Sequence, residues 1–345
     1  MQNPLADDLD RVLERTKVLW RELGGKHIFI TGGTGFVGSW LLETFVWANE
    51  KLKLSACATV LSRNPGAFER KTPHLAGHPS LEWRRGDLSS FHFPSGSFSH
   101  IIHAAAETSA TLNRRTPAAA NSTKRWTTRV LDFAKRQKNA KFLFLSSGAV
   151  YGAQPPGLSR MPENFSGGPD PSGPGAAYAE GKRAAELLCM QYGRKYGMQV
   201  KIARCFAFAG PYLPLNAHYA VGNFIRDALN GGSIRVRGDG ATVRSYLYSA
   251  DLAAWLWTIL LKGRPGRPYN VGSDRAVTIG ELASTVAGVF HPRPKIRVEK
   301  KAAAGMAGAR YVPCVDRARK ELGLAQTVGL GQAIQKTVNW NLLIR

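Results

Sequence analysis

The stretch that most constrains this chain is KHIFITGGTGFVGSWLLETFVWA, residues 26–48. KHIFI reads as a buried strand, and the residues after the glycines carry helical periodicity. Between them stand Gly32, Gly35 and Gly38, spaced G-x-x-G-x-x-G. A strand that turns through three glycines into a helix is the form of a dinucleotide-binding βα unit. One glycine allows the tight turn, one lets backbone approach a phosphate, and one lets the helix pack on the strand. The helix start then offers the free N–H groups of Phe36, Val37 and Gly38, with the positive dipole end, to a pyrophosphate. A merely structural turn is the competing reading, and the strand–turn–helix context weighs against it.

The same alternation continues. SACATVLSR (55–63), LEWRRGDL (81–88), HIIHAAA (100–106) and KFLFLSS (141–147) read as strands two to five, and 117–138 reads as a helix. Residues 152–177 hold six Pro and six Gly, so a long loop is expected there, of the kind that is functional or disordered. A helix follows at about 176–196 and a strand at 199–208. Beyond 211 the pattern loosens into short strands (233–238, 245–248, 268–272) and helices near 219–230, 250–262, 278–289 and 331–342. The expected fold is α/β: a doubly wound parallel sheet of the Rossmann type with a smaller C-terminal lobe. The expected domains are a helical extension (1–24, with apolar residues at helical spacing), a dinucleotide-binding domain (25–210) and a mainly substrate-binding lobe (211–345) whose segments partly return to the sheet.

Candidate site residues cluster where strands end. The second strand ends Ser62-Arg63-Asn64, where an acid for the adenosine ribose is usual. A carboxylate would repel a 2′-phosphate, whereas Ser62 and Arg63 would bind it, so NADP(H) is favoured and NAD(H) remains possible. Asp87 and Leu88 after the third strand are placed to meet the adenine. Ala104, Ala105 and Ala106 after the fourth are small enough for a cofactor to lie on backbone. Cys205, in the strand ARCFAF, is counted with the cofactor contacts. Tyr178 and Lys182, four apart in YAEGK, share a helix face. A free tyrosine has a pKa of about 10; a lysine ammonium and a nicotinium nearby favour the phenolate. Tyr178 could then take a proton from a sugar hydroxyl, with Ser147 bonded to the same oxygen. Ser146 reads as structural.

TGGTGFVG, GDL, HAAAE, SSGAVYG, YAEGK and GDGATVRSYLYSADLA occur in this order. Over about residues 25–340 the chain resembles the extended short-chain dehydrogenase/reductase family of nucleotide-sugar enzymes. The resemblance implies Ser147, Tyr178 and Lys182 as catalytic triad, Arg244 on the substrate diphosphate and Asn223 beside it. It also implies a nucleotide-diphosphate sugar as substrate, and a homodimer formed through the 117–138 and 176–196 helices. YAEGKRAAE and NFIRDALNGGSIRVRGDGATVRSY look most like the UDP-glucuronate decarboxylase branch. Two positions depart from the relatives. Gly148 and Ala149 stand where 4,6-dehydratases carry Asp-Glu and decarboxylases Ser-Glu, and Ala207 replaces the usual Asn of R-x-F-N. Removing water from C5–C6 needs an acid and a base beyond the tyrosine, which Gly148 and Ala149 do not supply.

The expected chemistry is therefore oxidoreduction at C4 of a nucleotide sugar, by a 4-ketoreductase or a 4-epimerase. A decarboxylase-like or dehydratase-like enzyme is the alternative, and a non-catalytic dinucleotide-sensing protein a further one. The net charge of +23 predicts attraction to anions, and 113–141 holds nine Lys or Arg against Asp132 alone. No zinc finger, RNA-binding signature or aromatic-basic interleaving points to nucleic acid. No apolar run approaches the ~20 residues of a membrane span, and the N-terminus lacks a signal-peptide layout. Four scattered cysteines without C-x-x-C argue for reduced thiols in a cytoplasm and against a zinc site.

Overall fold

The computed structural model describes residues 3–105, 117–173, 175–217, 219–300 and 308–344, with backbone alone for 117–120. In chain order the elements are α1 (Ala6–Trp20), β1 (His27–Thr31), α2 (Phe36–Leu52), β2 (Cys57–Ser62), α3 (Pro65–Glu69), α4 (Pro73–Ala76), β3 (Leu81–Arg85), β4 (His100–His103), α5 (Pro117–Ala134), β5 (Lys141–Ser147), α6 (Ala176–Tyr196) and β6 (Gln199–Cys205). There follow β7 (Phe208–Ala209), α7 (Ala220–Leu229), β8 (Ile234–Val236), β9 (Val243–Arg244), β10 (Leu247–Tyr248), α8 (Ser249–Lys262), β11 (Pro268–Val271), β12 (Val277–Thr278), α9 (Ile279–Ala287), β13 (Ile296–Val298), α10 (Asp316–Leu322) and α11 (Leu330–Leu343).

Seven strands form one sheet in the order β11-β6-β5-β4-β1-β2-β3. The β3–β2, β2–β1, β1–β4 and β4–β5 pairs are all parallel. The fold is thus the α/β, Rossmann-type sheet expected from the alternation. From β1 the chain winds outward through β2 and β3, then returns to β4 on the other side. That reversal is the switch point at which such sheets hold ligands, outside the strand C-termini. Thr31, Ser62, Arg85, His103 and Ser147 all end strands at that edge. The fourth strand stops at His103, three residues short of HIIHAAA's end, and α5 ends at Ala134 where 138 was expected. The proline-led turns of α3 and α4, with β12, β13 and α10, are too short to carry a periodic signal.

The chain divides into two compact units: Met1–Val150 with Pro171–Arg204 and Ala253–Tyr269, and Tyr151–Asp170 with Cys205–Leu252 and Asn270–Arg345. In the first, Phe29, Phe98, Phe133, Phe142 and Phe144 build a buried aromatic core between sheet and helices. α1 belongs to this unit. Trp20 at its end is fully buried, its ring 4.8 Å from that of Trp257. Trp257 Nε1 in turn donates to Thr44 Oγ1 of α2 at 2.9 Å. Burying aromatic rings of this size stabilises the docked helix by several kcal/mol.

In the second unit the Pro/Gly-rich segment is held by buried hydrogen bonds. Tyr151 Oη donates to Asn270 Oδ1 (2.7 Å), and Asn270 Nδ2 donates to the carbonyls of Met161 (2.8 Å) and Cys314 (2.9 Å). Met161 N and Cys314 N continue the link, donating to Val312 O and Met161 O, both at 2.8 Å. A segment that composition marks as irregular is therefore pinned by one fully buried asparagine.

Candidate active site

The glycines of the first turn divide their work unequally. Gly32 has φ +76°, and a Cβ there would lie 2.5 Å from Ala105 N and 2.7 Å from Ala104 C. A Cβ on Gly38 would lie 2.1 Å from Gly32 O, so the first turn of α2 packs on the loop itself. Gly33, which the motif spacing passes over, sits on β2: its Cβ would be 2.5 Å from Val60 Cγ1. Gly35 is the N-cap of α2, exposed, and a Cβ there makes ordinary contact. The helix has no side-chain cap and no acid in its first turn. The amides of Phe36, Val37 and Gly38 consequently point out of a backbone cradle toward any anion placed there.

At the end of β2, Ser62 is buried and its Oγ accepts from Asn64 N at 3.3 Å, while Arg63 is exposed. Gly86 N donates to Ser62 O and so brings the exit of β3 beside it. Asp87 Oδ1 accepts from the hydroxyl and the amide of Ser89. Those bonds, with the charges of Arg63 and Arg125, hold its carboxyl below the usual value, against partial burial. Leu88 is half-buried and packs on the aromatic core.

A polar chain that sequence reasoning missed supports the third side. Ala104 N donates to Thr31 O at 3.1 Å and Ala105 N to Thr31 Oγ1 at 3.4 Å. Thr31 Oγ1 pairs with His103 Nδ1 at 2.8 Å, and His103 Nε2 with Thr127 Oγ1 at 3.3 Å. Burial, helped by the Lys182 charge, pushes His103 down to about 3, so this imidazole is neutral. A histidine closing an otherwise apolar buried strand was the available signal. Ala106 lies outside the described residues.

Ser147 closes β5, and its Oγ accepts from Ala149 N at 3.1 Å. Lys182 of α6 is 2% exposed; Nζ donates to Leu145 O at 2.7 Å and stands 4.8 Å from the centre of the Phe144 ring. The ammonium is thus fixed on β5 two residues before Ser147. Tyr178, one turn earlier on α6 and half-buried, shares the helix face of Lys182. Ser146 takes the structural part: its hydroxyl donates to Glu186, which also receives Arg204 Nη2 at 2.7 Å and Nε at 3.0 Å.

The remaining candidates belong to the second unit. Cys205, outside any disulfide, ends β6. Asn223 in α7 accepts at Oδ1 from Arg226 Nη1 at 3.1 Å. Arg244 donates from Nη1 to Val243 O (2.9 Å) and lies over the Tyr311 ring at 5.7 Å. Its burial pulls its pKa down, and burial pushes Tyr246 up to about 12. No hydrogen bond joins Asn223 to Arg244 among the described residues. Ala207 offers backbone alone, its carbonyl accepting from Leu247 N at 3.0 Å. No group of three or more His, Cys, Asp or Glu able to hold a metal occurs among the described residues, and no described helix is long and apolar enough to cross a membrane.

UDP-glucuronic acid decarboxylase 6 of Arabidopsis thaliana is 30% identical over 309 residues, 89% of this chain and 86% of that protein. UDP-glucuronic acid decarboxylase 1 of Danio rerio is 29% identical over 316 residues, 91% of this chain and 72% of that protein. Among solved structures, UDP-glucuronic acid 4-epimerase from Bacillus cereus, in complex with UDP-glucuronic acid and NAD, superposes with TM-score 0.76 at 19% identity, covering 92% of this chain and all (100%) of that one. The model of the NAD-dependent epimerase/dehydratase family matches residues 28–272, the span that carries the glycine turn, Ser147, Tyr178 and Lys182, and this chain belongs to that family.

Proposed function

We propose that this chain carries out NAD(P)-dependent oxidoreduction at C4 of a UDP-sugar, with NADP(H) favoured over NAD(H), as a 4-ketoreductase or 4-epimerase. One observation carries the reading. The end of β5 presents Ser147 beside the anchored Lys182 ammonium and is followed by Gly148 and Ala149, with no acid pair. Ser147, Tyr178 and Lys182 suffice for proton transfer at one oxygen, and Gly148 and Ala149 supply no second acid or base for water loss. The nucleotide part of the substrate is inferred from the relatives, whose names specify UDP-sugars.

The turn packed on itself at Gly32 and Gly38, with an α2 N-terminus that has no side-chain cap and no acid in its first turn, fits the phosphates of a nicotinamide dinucleotide. When bound, that group supplies the hydride carrier. The chain does the rest. Tyr178 Oη exchanges the proton of the C4 oxygen. Ser147 Oγ hydrogen-bonds that oxygen and orients it. Lys182 Nζ, held by Leu145 O, keeps a positive charge near the phenol and favours its ionised form. Ser62 and Arg63 in place of an acid favour the 2′-phosphate of NADP(H). Arg244 and Asn223 are assigned to the substrate diphosphate side. A homodimer through α5 and α6, working with reduced thiols in the cytoplasm, completes the proposal; Leu187 of α6 is an exposed apolar residue suited to a helix interface.

The relatives' names favour a second reading, decarboxylation of UDP-glucuronic acid through a 4-keto intermediate, since a β-keto acid loses carbon dioxide with modest assistance. Product analysis separates the readings. Consumption of NADPH with a UDP-4-keto-sugar, or interconversion of C4 epimers of a UDP-hexose, supports the proposal. Turnover of UDP-glucuronic acid to carbon dioxide and a UDP-pentose, with no reaction on the other substrates, establishes the second reading and overturns the first.

A further inference from the structure

We propose that Arg125 of α5 acts with Arg63 as a two-guanidinium clamp on the 2′-phosphate of NADP(H), and that Arg125 is a specificity-determining residue of the cofactor site. The inference rests on the NADP(H) reading above and deepens it, since Arg125 stands 62 residues beyond Arg63 in the sequence and outside every dinucleotide motif.

Three observations place Arg125. First, Arg129 fixes α5 against the segment that follows β3. Its Nη2 and Nε donate to Phe91 O at 2.6 Å and 3.2 Å, and its guanidinium lies over the rings of Phe91 (5.4 Å) and Phe93 (4.9 Å). Second, that segment folds back on Asp87, whose carbonyl accepts from Phe91 N at 2.8 Å and Ser90 N at 3.1 Å. Arg125 lies one helical turn before Arg129, on the face of α5 that carries Arg129 onto this segment. Third, the charges of Arg63 and Arg125 act on the same carboxylate, after its bonds from Ser89. Both arginines are exposed, and neither makes an ion pair among the described residues.

The site also has a donor to spare. Ser62 is 7% exposed and its Oγ accepts from Asn64 N, while its hydroxyl proton has no acceptor among the described residues. The charges of Arg63 and Arg125 both bear on the Asp87 carboxylate, whose Oδ1 already takes two bonds from Ser89. The local charge sum is positive, as a phosphate requires. One exposed arginine in water discriminates weakly because solvent screens it. Two that converge, each able to give a bidentate bond, hold a dianion far better. NAD(H), with a 2′-hydroxyl, would leave both cations without a partner, and no acid at the end of β2 would take its diol.

The test reads cofactor binding and no turnover. The full chain is titrated with NADPH and with NADH by fluorescence, as wild type and as Arg63→Ala, Arg125→Ala, Arg125→Lys and Lys124→Ala. Wild type should bind NADPH at least about tenfold more tightly than NADH, and Arg125→Ala should weaken NADPH about tenfold while leaving NADH within about twofold. Arg125→Lys should recover part of the loss. Lys124→Ala, which removes the adjacent exposed charge, should change neither. Equal binding of the two cofactors by wild type, an equal effect of Arg125→Ala on both, or a loss of NADPH affinity in Lys124→Ala as large as in Arg125→Ala would overturn the clamp. A chain that shows the clamp yet reduces no UDP-4-keto-sugar defeats the proposed reaction and leaves the clamp standing. A chain that turns over the sugar without the Arg125 effect does the reverse.

Discussion

Tyr178 is the residue on which the proposed chemistry turns. Tyr178→Phe keeps the ring and its packing and removes the one acid–base oxygen, so turnover should fall about 10²–10⁴-fold. Nucleotide affinity should stay near that of the parent, measured by the same titration; retained turnover would sink the mechanism. His103 makes a different kind of prediction. The folded imidazole stays neutral down to about 3, whereas the unfolded one takes its proton near 6.5. Between those values the unfolded state binds the extra proton, so stability falls as pH drops through that window, by up to about 1.4 kcal/mol per unit from this residue. Above 6.5 it contributes no pH dependence. Urea unfolding at about pH 5 and pH 7 should therefore show a smaller difference for His103→Gln than for the parent. An unchanged difference would mean that His103 is not a buried neutral base. Ser62, Arg63, Asp87, Ser147, Tyr178 and Lys182 could all be picked out of the sequence because each ends a strand or opens a helix at a motif. His103 also ends a strand, but its link to Thr127 and the packing of Gly33 on Val60 depend on residues distant in the chain.

At the scale of elements, the turn between β1 and α2 is a set of close backbone approaches, and its glycines should rank by them. Gly38→Ala drives a Cβ into Gly32 O, a backbone atom that cannot yield cheaply. It should cost on the order of 3 kcal/mol and weaken nucleotide binding. Gly35→Ala meets ordinary contact and should change stability by less than about 1 kcal/mol. Denaturant unfolding of both variants checks the order; equal costs would contradict the packing described for the turn. Periodicity located the long elements well: α6 runs over Ala176–Tyr196, as its sequence indicated. It failed where elements are shorter than one or two repeats. α3 and α4 hold five and four residues, each starting on a proline, and α3 is closed by Asn64 Oδ1 accepting from Ala67 N. Such turns are set by a cap and a ring, which pattern reading counts as loop.

For the whole molecule, the proposed homodimer gives a direct test. Leu187 of α6 is 56% exposed, and Leu187→Glu should shift the chain from dimer to monomer in sedimentation velocity. A monomeric parent protein would dispose of the dimer. The net charge of +23 has no single structural owner. Part of it is absorbed locally, as where Arg129 and Arg136 lie over the Phe93 ring and Arg204 meets Glu186, and part remains exposed at Arg63 and Arg125. By itself the sequence determined the α/β alternation, the glycine turn, the strand ends that carry Ser62 and Ser147, and the helix face shared by Tyr178 and Lys182. Those features are local: they depend on a period of two or 3.6 residues and on glycine's lack of a Cβ. Tertiary structure alone decided that Lys182 reaches Leu145 O, that His103 is buried neutral between Thr31 and Thr127, and that Arg129 of α5 holds Phe91 O. Each depends on a contact between residues tens of positions apart, and no pattern confined to one segment encodes which distant segment will lie against it.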